Sequence, residues 1–359
     1  MHSSASEIVV ALVGNPNSGK TTVFNELTGA HQHVGNWPGV TVERKEGIAR
    51  KNNHTFRVVD LPGIYSLSAY SQEEVVARNF LLNERVDAIV NIVDASNLER
   101  NLYLTTEVLE LGIPTAVALN MIDVAESMGQ KLDIKNFASL LGAPVIPAVA
   151  AKGEGMDEIL DSIIEIISTG SQARRSARHT PEVEIEVSML MQRLQMDEGS
   201  SGPMRWLLIR AMEGDSDARL RLSQCTPDPE LALKRGDETR RHLEQGFGGD
   251  MESVIANGRY GFIGGLLREI VVRKATEDKI AASDRIDNFL LHRWLGIPIF
   301  LALMWLTFEL TFVVGGFFQN YIEAGISTLG TWTSSVLPPG PLASLIVDGV
   351  IAGVGGVIV

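Results

Sequence analysis

The 359-residue chain contains a single cysteine, Cys225, which excludes an internal disulfide and a multi-cysteine zinc site and suits a reducing compartment. Cys225 is expected as a small buried residue. Charge is nearly missing from the C-terminal stretch: between Leu295 and Val359 only Glu309, Glu323 and Asp348 carry it, and Lys and Arg do not occur. All 31 Lys and Arg but only 41 of the 44 Asp and Glu therefore precede Leu295, which leaves that part at −10. An acidic part of this kind repels phosphate backbones, so nucleic acid is not expected as a partner. No basic segment precedes the first apolar run, Ile8–Val13; the run is only as long as one strand, so no signal peptide is predicted.

What is present is a globular composition, 45 % apolar and 21 % charged, enough for two or three domains at roughly 150 residues each. Strand-like runs at residues 8–13, 54–61, 86–94, 113–120 and 143–150 alternate with stretches of helical length, which predicts a parallel sheet covered by helices on both faces over residues 1–170. Residues 41–50 add a predicted edge strand. Residues 171–182, with Arg174, Arg175 and Arg178, lack apolar periodicity and read as a solvated linker. From 183 to about 280 the spacing of Val187, Leu190, Met191 and Leu194, and of Ile255, Phe262, Leu266 and Ile270, predicts a small all-α domain. Met189, Met191 and Met196 read as core filling.

After a membrane-proximal segment at 281–296, residues 297–316 hold one charge and are long enough to cross a hydrocarbon core of about 30 Å. Arg285 and Arg293 precede this span and no Lys or Arg follows it, which places residues 1–293 on the cytoplasmic side. Glu309, costly in lipid, is expected to face other helices or a wet path, as a metal ligand or in a structural hydrogen bond. A second apolar run, 338–359, is predicted to begin another membrane segment that continues past Val359.

The pattern Gly14-Asn15-Pro16-Asn17-Ser18-Gly19-Lys20-Thr21 fits G-x-x-x-x-G-K-[ST] between a strand and a helix. Its backbone N–H groups, with Thr22 beside them, are expected to wrap phosphates; Lys20 adds a point charge and Thr21 a hydroxyl for Mg²⁺. Asp60-Leu-Pro-Gly63 ends a strand, where the carboxylate can hold Mg²⁺ through water and Gly63 can donate to a γ-phosphate. Asn120-Met121-Ile-Asp123 ends another. Its last carboxylate can accept two N–H groups of guanine, and adenine offers no such pair. Ala150-Ala151-Lys152, about thirty residues on, can present an N–H to guanine O6. The order of these motifs at strand ends predicts an α/β, Ras-like P-loop GTPase domain, followed by the all-α domain and the start of an α-helical transmembrane region.

The stretch His33-Val-Gly-Asn-Trp-Pro-Gly39-Val40-Thr41-Val-Glu43 resembles the first switch of the FeoB family, bacterial ferrous-iron transporters with an N-terminal GTPase. Residues 256–262 (ANGRYGF) and 287–298 (DNFLLHRWLGIP) are similar as well, so the resemblance covers the whole chain. It implies a helical domain of the kind described as stabilising bound GDP, and the beginning of a multi-pass permease of the bacterial inner membrane. It also implies GTP or GDP with Mg²⁺ as cofactors, Fe²⁺ as cargo, and as partners the lipid bilayer, further copies of the chain and small cytosolic proteins of the same uptake system. By position, Thr41 would join the Mg²⁺ shell only in the GTP state, with Gly39 and Val40 beside the nucleotide, and Asn17 would hold a K⁺ ion that stimulates hydrolysis. Asn17, Lys20, Thr41 and Gly63 would then carry catalysis. Ile64 stands where Ras-like proteins often keep a water-positioning glutamine, so intrinsic hydrolysis is expected to be slow. N-M-I-D lacks the lysine of N-K-x-D, so guanine affinity is expected to be modest. Two alternatives stay open: a membrane-tethered regulatory GTPase without transport, and a ribosome- or tRNA-directed GTPase, against which the acidic charge and apolar tail count.

Overall fold

A computed structural model describes residues 7–29, 32–68, 70–169, 179–194, 202–273, 295–338 and 340–358. The chain divides into two units, Met1–Ala275 and Thr276–Val359.

The first unit is built on a seven-stranded sheet. Its strands are β1 (Ile8–Gly14), β2 (Gln32–Asn36), β3 (Glu43–Lys51), β4 (His54–Asp60), β5 (Ala88–Asp94), β6 (Thr115–Asn120) and β8 (Val145–Pro147), in the spatial order β2-β3-β4-β1-β5-β6-β8. β4, β1, β5, β6 and β8 run parallel; β3 and β2 extend the sheet antiparallel. The period of two in β1 sends Val10 and Leu12 to one face and Ala11 and Val13 to the other. The first face is covered by α1 (Lys20–Thr28) and α6 (Met156–Ser168), through Phe24, Ile159 and Ile163. The second is covered by α2 (Gln72–Asn83) and α3 (Leu98–Glu110), through Phe80, Leu104 and Val108. α2 begins on a capping box, Ser71 with Glu74.

α4 (Ile122–Ser127), α5 (Ile134–Leu141) and the short strand β7 (Gln130–Leu132) complete the sheet domain. Among the described residues five helices follow: α7 (Pro181–Arg193), α8 (Gly202–Glu213), α9 (Ser216–Cys225), α10 (Pro229–Phe247) and α11 (Met251–Ile270). They share their core with the second sheet face, because Val187, Leu190, Trp206, Leu208 and Ile255 belong to the same buried cluster as Val13, Val59 and Leu104.

Three expectations are corrected. The all-α pattern does not run through residue 273: Val271–Arg273 forms β9, antiparallel to β7. β-Branched valines end the helix and complete a two-stranded ladder with a segment of the sheet domain. The predicted edge strand starts at Glu43, and the preceding switch stretch is itself a strand in part, since Gln32–Asn36 forms β2 at the sheet edge, with every residue exposed. Cys225 is exposed at the end of α9; Leu222 and Ala218 take the buried positions of that helix. Of the linker residues, 171–178 lie outside the described part, as do Met196 and residues 281–294.

In the second unit the predicted span of residues 297–316 is only the first half of one unbroken helix, Gly296–Val336, 41 residues with mean hydropathy 2.1 over its most apolar window. No proline interrupts it after Pro298, and Leu337-Pro338 ends it. The second apolar run is helical from Pro341 to Ile358, with a π-type turn at Leu345–Ile351.

Candidate functional site

The phosphate-loop residues leave β1 and wrap the start of α1. Gly14 has no room for a side chain, because a Cβ there would stand 2.7 Å from Ile92 O. Gly19 caps α1 at φ +84°, and its Cβ would fall 2.2 Å from Asn120 Nδ2. Asn17 also takes a left-handed conformation, φ 67°, accessible to asparagine. Asn15, Pro16, Asn17, Gly19, Lys20, Thr21, Thr22 and Gly63 line one open cavity of about 500 Å³ at the helix N-terminus. Backbone N–H groups and the helix dipole make such a place favourable for anions. Two buried polar atoms in this loop, Asn15 Oδ1 and Ser18 Oγ, have no hydrogen-bond partner among the described residues.

Lys20 and Asp60 are both buried and paired, Lys20 Nζ donating to Asp60 Oδ1. Burial pushes the Asp60 carboxyl above its ordinary value, while the Lys20 ammonium pulls it the other way. Gly63 lies against the phosphate loop, where an added Cβ would meet Pro16 at 3.2 Å. Ile64 donates its N–H to Gly14 O at 3.2 Å and turns its side chain into the core, 2 % exposed. It cannot reach a water in the cavity.

At the other end, Asn120 stitches three segments together. Its Nδ2 donates to Ser18 O at 2.9 Å, and its Oδ1 accepts from Ala150 N at 3.0 Å. Met121 follows at φ 59° and caps α4. The Asp123 carboxylate lies half-exposed, with Oδ2 3.2 Å from Lys152 Nζ. Ala150 N–H is taken by Asn120 and Lys152 N–H by Val149 O at 2.9 Å, so of the three predicted donors it is Ala151 N–H that remains for a base. Gly39, Val40 and Thr41 sit on a loop closed by Trp37 N–H donating to Val42 O at 2.9 Å. Trp37 anchors this loop, buried edge-on against Phe80 and beneath the Arg44 guanidinium. Thr41 is exposed and does not line the phosphate cavity.

Sequence reading missed a buried ionic cluster on α3. Glu107 and Glu110 are almost fully buried. Glu110 Oε2 accepts from Arg259 Nη2 at 2.8 Å, and its Oε1 lies 3.1 Å from His179 Nε2. Glu107 accepts from Arg210 and Arg259. Burial alone would raise the Glu110 carboxyl, but Arg259 and His179 outweigh it and hold it well below the usual carboxylate range. Glu213, at the edge of the cluster, is instead pushed up by burial. One signal for it stood in the sequence: Arg259, a lone charge inside ANGRYGF on an otherwise apolar stretch.

Comparison with known proteins agrees with this architecture. Residues 8–163 match the family model of ferrous iron transport protein B, and residues 179–272 that of the FeoB cytosolic helical domain. The chain is 41 % identical over 359 residues to a Porphyromonas gingivalis Fe(2+) transport protein A/Fe(2+) transporter FeoB fusion protein, covering 98 % of this chain and 42 % of that one. To the Fe(2+) transporter FeoB of Escherichia coli K12 it is 38 % identical over 331 residues, covering 89 % and 40 %. It thus spans about two fifths of the length of these curated relatives. Among solved structures, an S. thermophilus NFeoB mutant bound to GDP superposes with a TM-score of 0.65 at 39 % identity, covering 73 % of this chain and 99 % of that one. The cytosolic domain of L. pneumophila FeoB gives 0.62 at 35 %, covering 74 % and 99 %. A Ras-like sheet domain, a helical bundle on its second face and these matches over both together lead to one assignment: the chain belongs to the FeoB family.

Proposed function

We propose that the chain binds GTP and hydrolyses it to GDP and phosphate, as the cytoplasmic part and first membrane segment of a ferrous-iron transporter of the bacterial inner membrane. The observation that carries the nucleotide reading is Asn120, which ties the phosphate loop at Ser18 to the Ala150 loop and so fixes the distance between phosphate and base ends. S. thermophilus relatives bound to GDP and to GMPPNP support it.

The hard oxygen donors Thr21 and Asp60, with Thr41 brought in from its loop, suit Mg²⁺, and the Asp60 carboxylate beside Lys20 is already arranged for a cation and a phosphate to share. Asn17, left-handed and exposed at the cavity, offers an amide oxygen to K⁺. These cations, when bound, neutralise charge building on the phosphates. The chain's own residues do the rest. Gly19, Lys20 and Thr22 hold the phosphates, Gly63 donates its N–H to the γ-phosphate, and Asp123 reads guanine against Ala151 N–H. Because Ile64 is committed to the core, no side chain at that position orients water, and hydrolysis is slow without K⁺. The 331-residue and longer matches to whole transporters support Fe²⁺ as cargo, a bilayer around residues 297–316 and a multi-pass context. The fusion relative supports a small transport-protein-A-like partner.

Titration calorimetry tests the central claim. GDP should bind and ADP should not, and Asp123→Asn should weaken GDP by tenfold or more, about 1.5–3 kcal/mol for hydrogen bonds to a charged group. Equal affinities for GDP and ADP would defeat it.

A further inference from the structure

The loop that follows Gly63 is held from outside the nucleotide site. Leu67 N–H donates to Glu107 Oε2 at 2.6 Å, while the other oxygen of the same carboxylate accepts from Arg259 Nη1 at 3.0 Å and from Arg210 Nη2. Glu107 belongs to α3 of the sheet domain, but both arginines come from the helical bundle, α8 and α11. A fully buried carboxylate is stable only when its oxygens are answered by donors, and here one donor is the loop backbone. The bundle also grips the helix at the far end of that loop: Arg78 of α2 donates to Asp215 at 2.6 Å and to Asp217 at 3.0 Å. Gly63 and Leu67 are four residues apart, so a pinned N–H at Leu67 narrows where the Gly63 N–H can stand.

We propose that Glu107 is a positioning residue for GTP hydrolysis: it fixes the Leu67 backbone, and through it Gly63, at a place dictated by Arg210 and Arg259 of the helical bundle. The proposal rests on the GTPase reading above and deepens it by naming the group through which the helical domain acts. The carboxylate is needed because it accepts on both sides. Glutamine at 107 must turn its NH₂ either toward two guanidinium groups or toward the Leu67 N–H, and loses one side in either case. Glu110 supplies the control, since it pairs with Arg259 and His179 in the same cluster without a bond to the loop.

The test uses the whole chain and compares Glu107→Gln with Glu110→Gln. For Glu107→Gln, kcat for GTP should fall about tenfold with KM within about twofold, the pattern of a lost transition-state arrangement. Glu110→Gln should lower thermal stability but leave kcat within about twofold. A matching fall of kcat in both variants, or unchanged kcat in Glu107→Gln, would overturn the proposal. In the unmodified protein, hydrogen exchange at the Leu67 amide should be as slow as in the α3 core; exchange at open-loop speed would overturn it even if a variant fails to fold. Absence of GDP binding by the unmodified chain would sink the GTPase reading instead, and leave the Leu67 exchange result to stand by itself.

Discussion

Two polar regions of the first unit are built to opposite rules. In the phosphate cavity, buried Asn15 and Ser18 keep polar atoms without partners among the described residues, Asn17 and Thr21 are exposed, and one ion pair, Lys20–Asp60, stands at the wall. In the α3 cluster, the oxygens of both glutamates accept from Arg210, Arg259 and the Leu67 backbone, with His179 3.1 Å from Glu110, although Arg210 Nε and His179 Nδ1 are left without partners among the described residues. The difference is one of charge: the cavity keeps a single cation–carboxylate pair beside exposed groups, whereas the cluster sets buried carboxylates against several buried cations. Unanswered donors are tolerable where a phosphate can accept from them; deep between two domains, a buried carboxylate must find its donors within the chain.

Breaking the ionic cluster should have the largest effect. Arg259→Ala leaves Glu110 and Glu107 short of a partner, and should cost about 3–5 kcal/mol of stability, the range for removing one member of a buried ion pair. Thermal or urea unfolding checks it, and a change no larger than for an exposed arginine such as Arg85 would erase the contrast. Breaking the open region should show first in binding. Lys20→Ala should weaken GDP by about 100-fold, near 3 kcal/mol for a charge-assisted bond to phosphate, read by titration calorimetry; the buried Asp60 it leaves without its partner adds a loss of stability.

Acid sharpens the comparison. The folded-state value of Glu110 is depressed, so its contribution is fully present above the unfolded carboxylate value of about 4.3 and is lost as pH falls through the depressed folded value. Asp60 is raised, so acidification relieves its burial instead, and does so earlier. The stability gap between the parent and Glu110→Gln should therefore stay constant from neutrality to about pH 4.5 and close only below it. A gap that closes between about pH 7 and about pH 5 would show the pairing to be weaker than the geometry indicates. The smallest effect is expected at the join between the regions. Ser71→Ala removes the cap of α2 and should cost about 1 kcal/mol, read as a modest shift in unfolding midpoint.

The open region was legible from sequence because its chemistry is local. Gly14 to Thr21 is one contiguous stretch, Asp60 and Asn120 stand at strand ends, and the alternation of short apolar runs such as 8–13 and 54–61 with stretches of helical length announces the parallel sheet. The ionic cluster was not legible because its partners are far apart in the chain. Glu107 and Glu110 are spaced like the solvated face of an amphipathic helix, and only Arg259, about 150 residues on, shows that this face is covered. β9 was missed for a related reason: the apolar rhythm of Leu266 and Ile270 runs straight into Val271 and Val272, and the strand exists only because β7 lies opposite. Asn120 was recognised as part of a motif, but its stitching of two loops is visible only in three dimensions. Thr41 was placed by resemblance, and the structure adds what anchors its loop, Trp37 wedged against Phe80.

The helix Gly296–Val336 carries a consequence of simple measure. Forty-one residues at about 1.5 Å each give a rod of about 62 Å, roughly twice the thickness of a hydrocarbon core. A bilayer that takes the half from Ile297 to Gly316 leaves the half from Phe317 to Val336 to stand outside it. That outer half is two-sided: Phe317, Phe318, Tyr321, Ile322 and Trp332 share one arc, and Gln319, Asn320, Glu323, Ser327 and Ser334 the opposite one. Gly315 and Gly316 fall at the midpoint. With a bilayer so placed, one unbroken helix would meet oil on all sides along its first half, and along its second would turn a polar arc and an apolar arc to different surroundings.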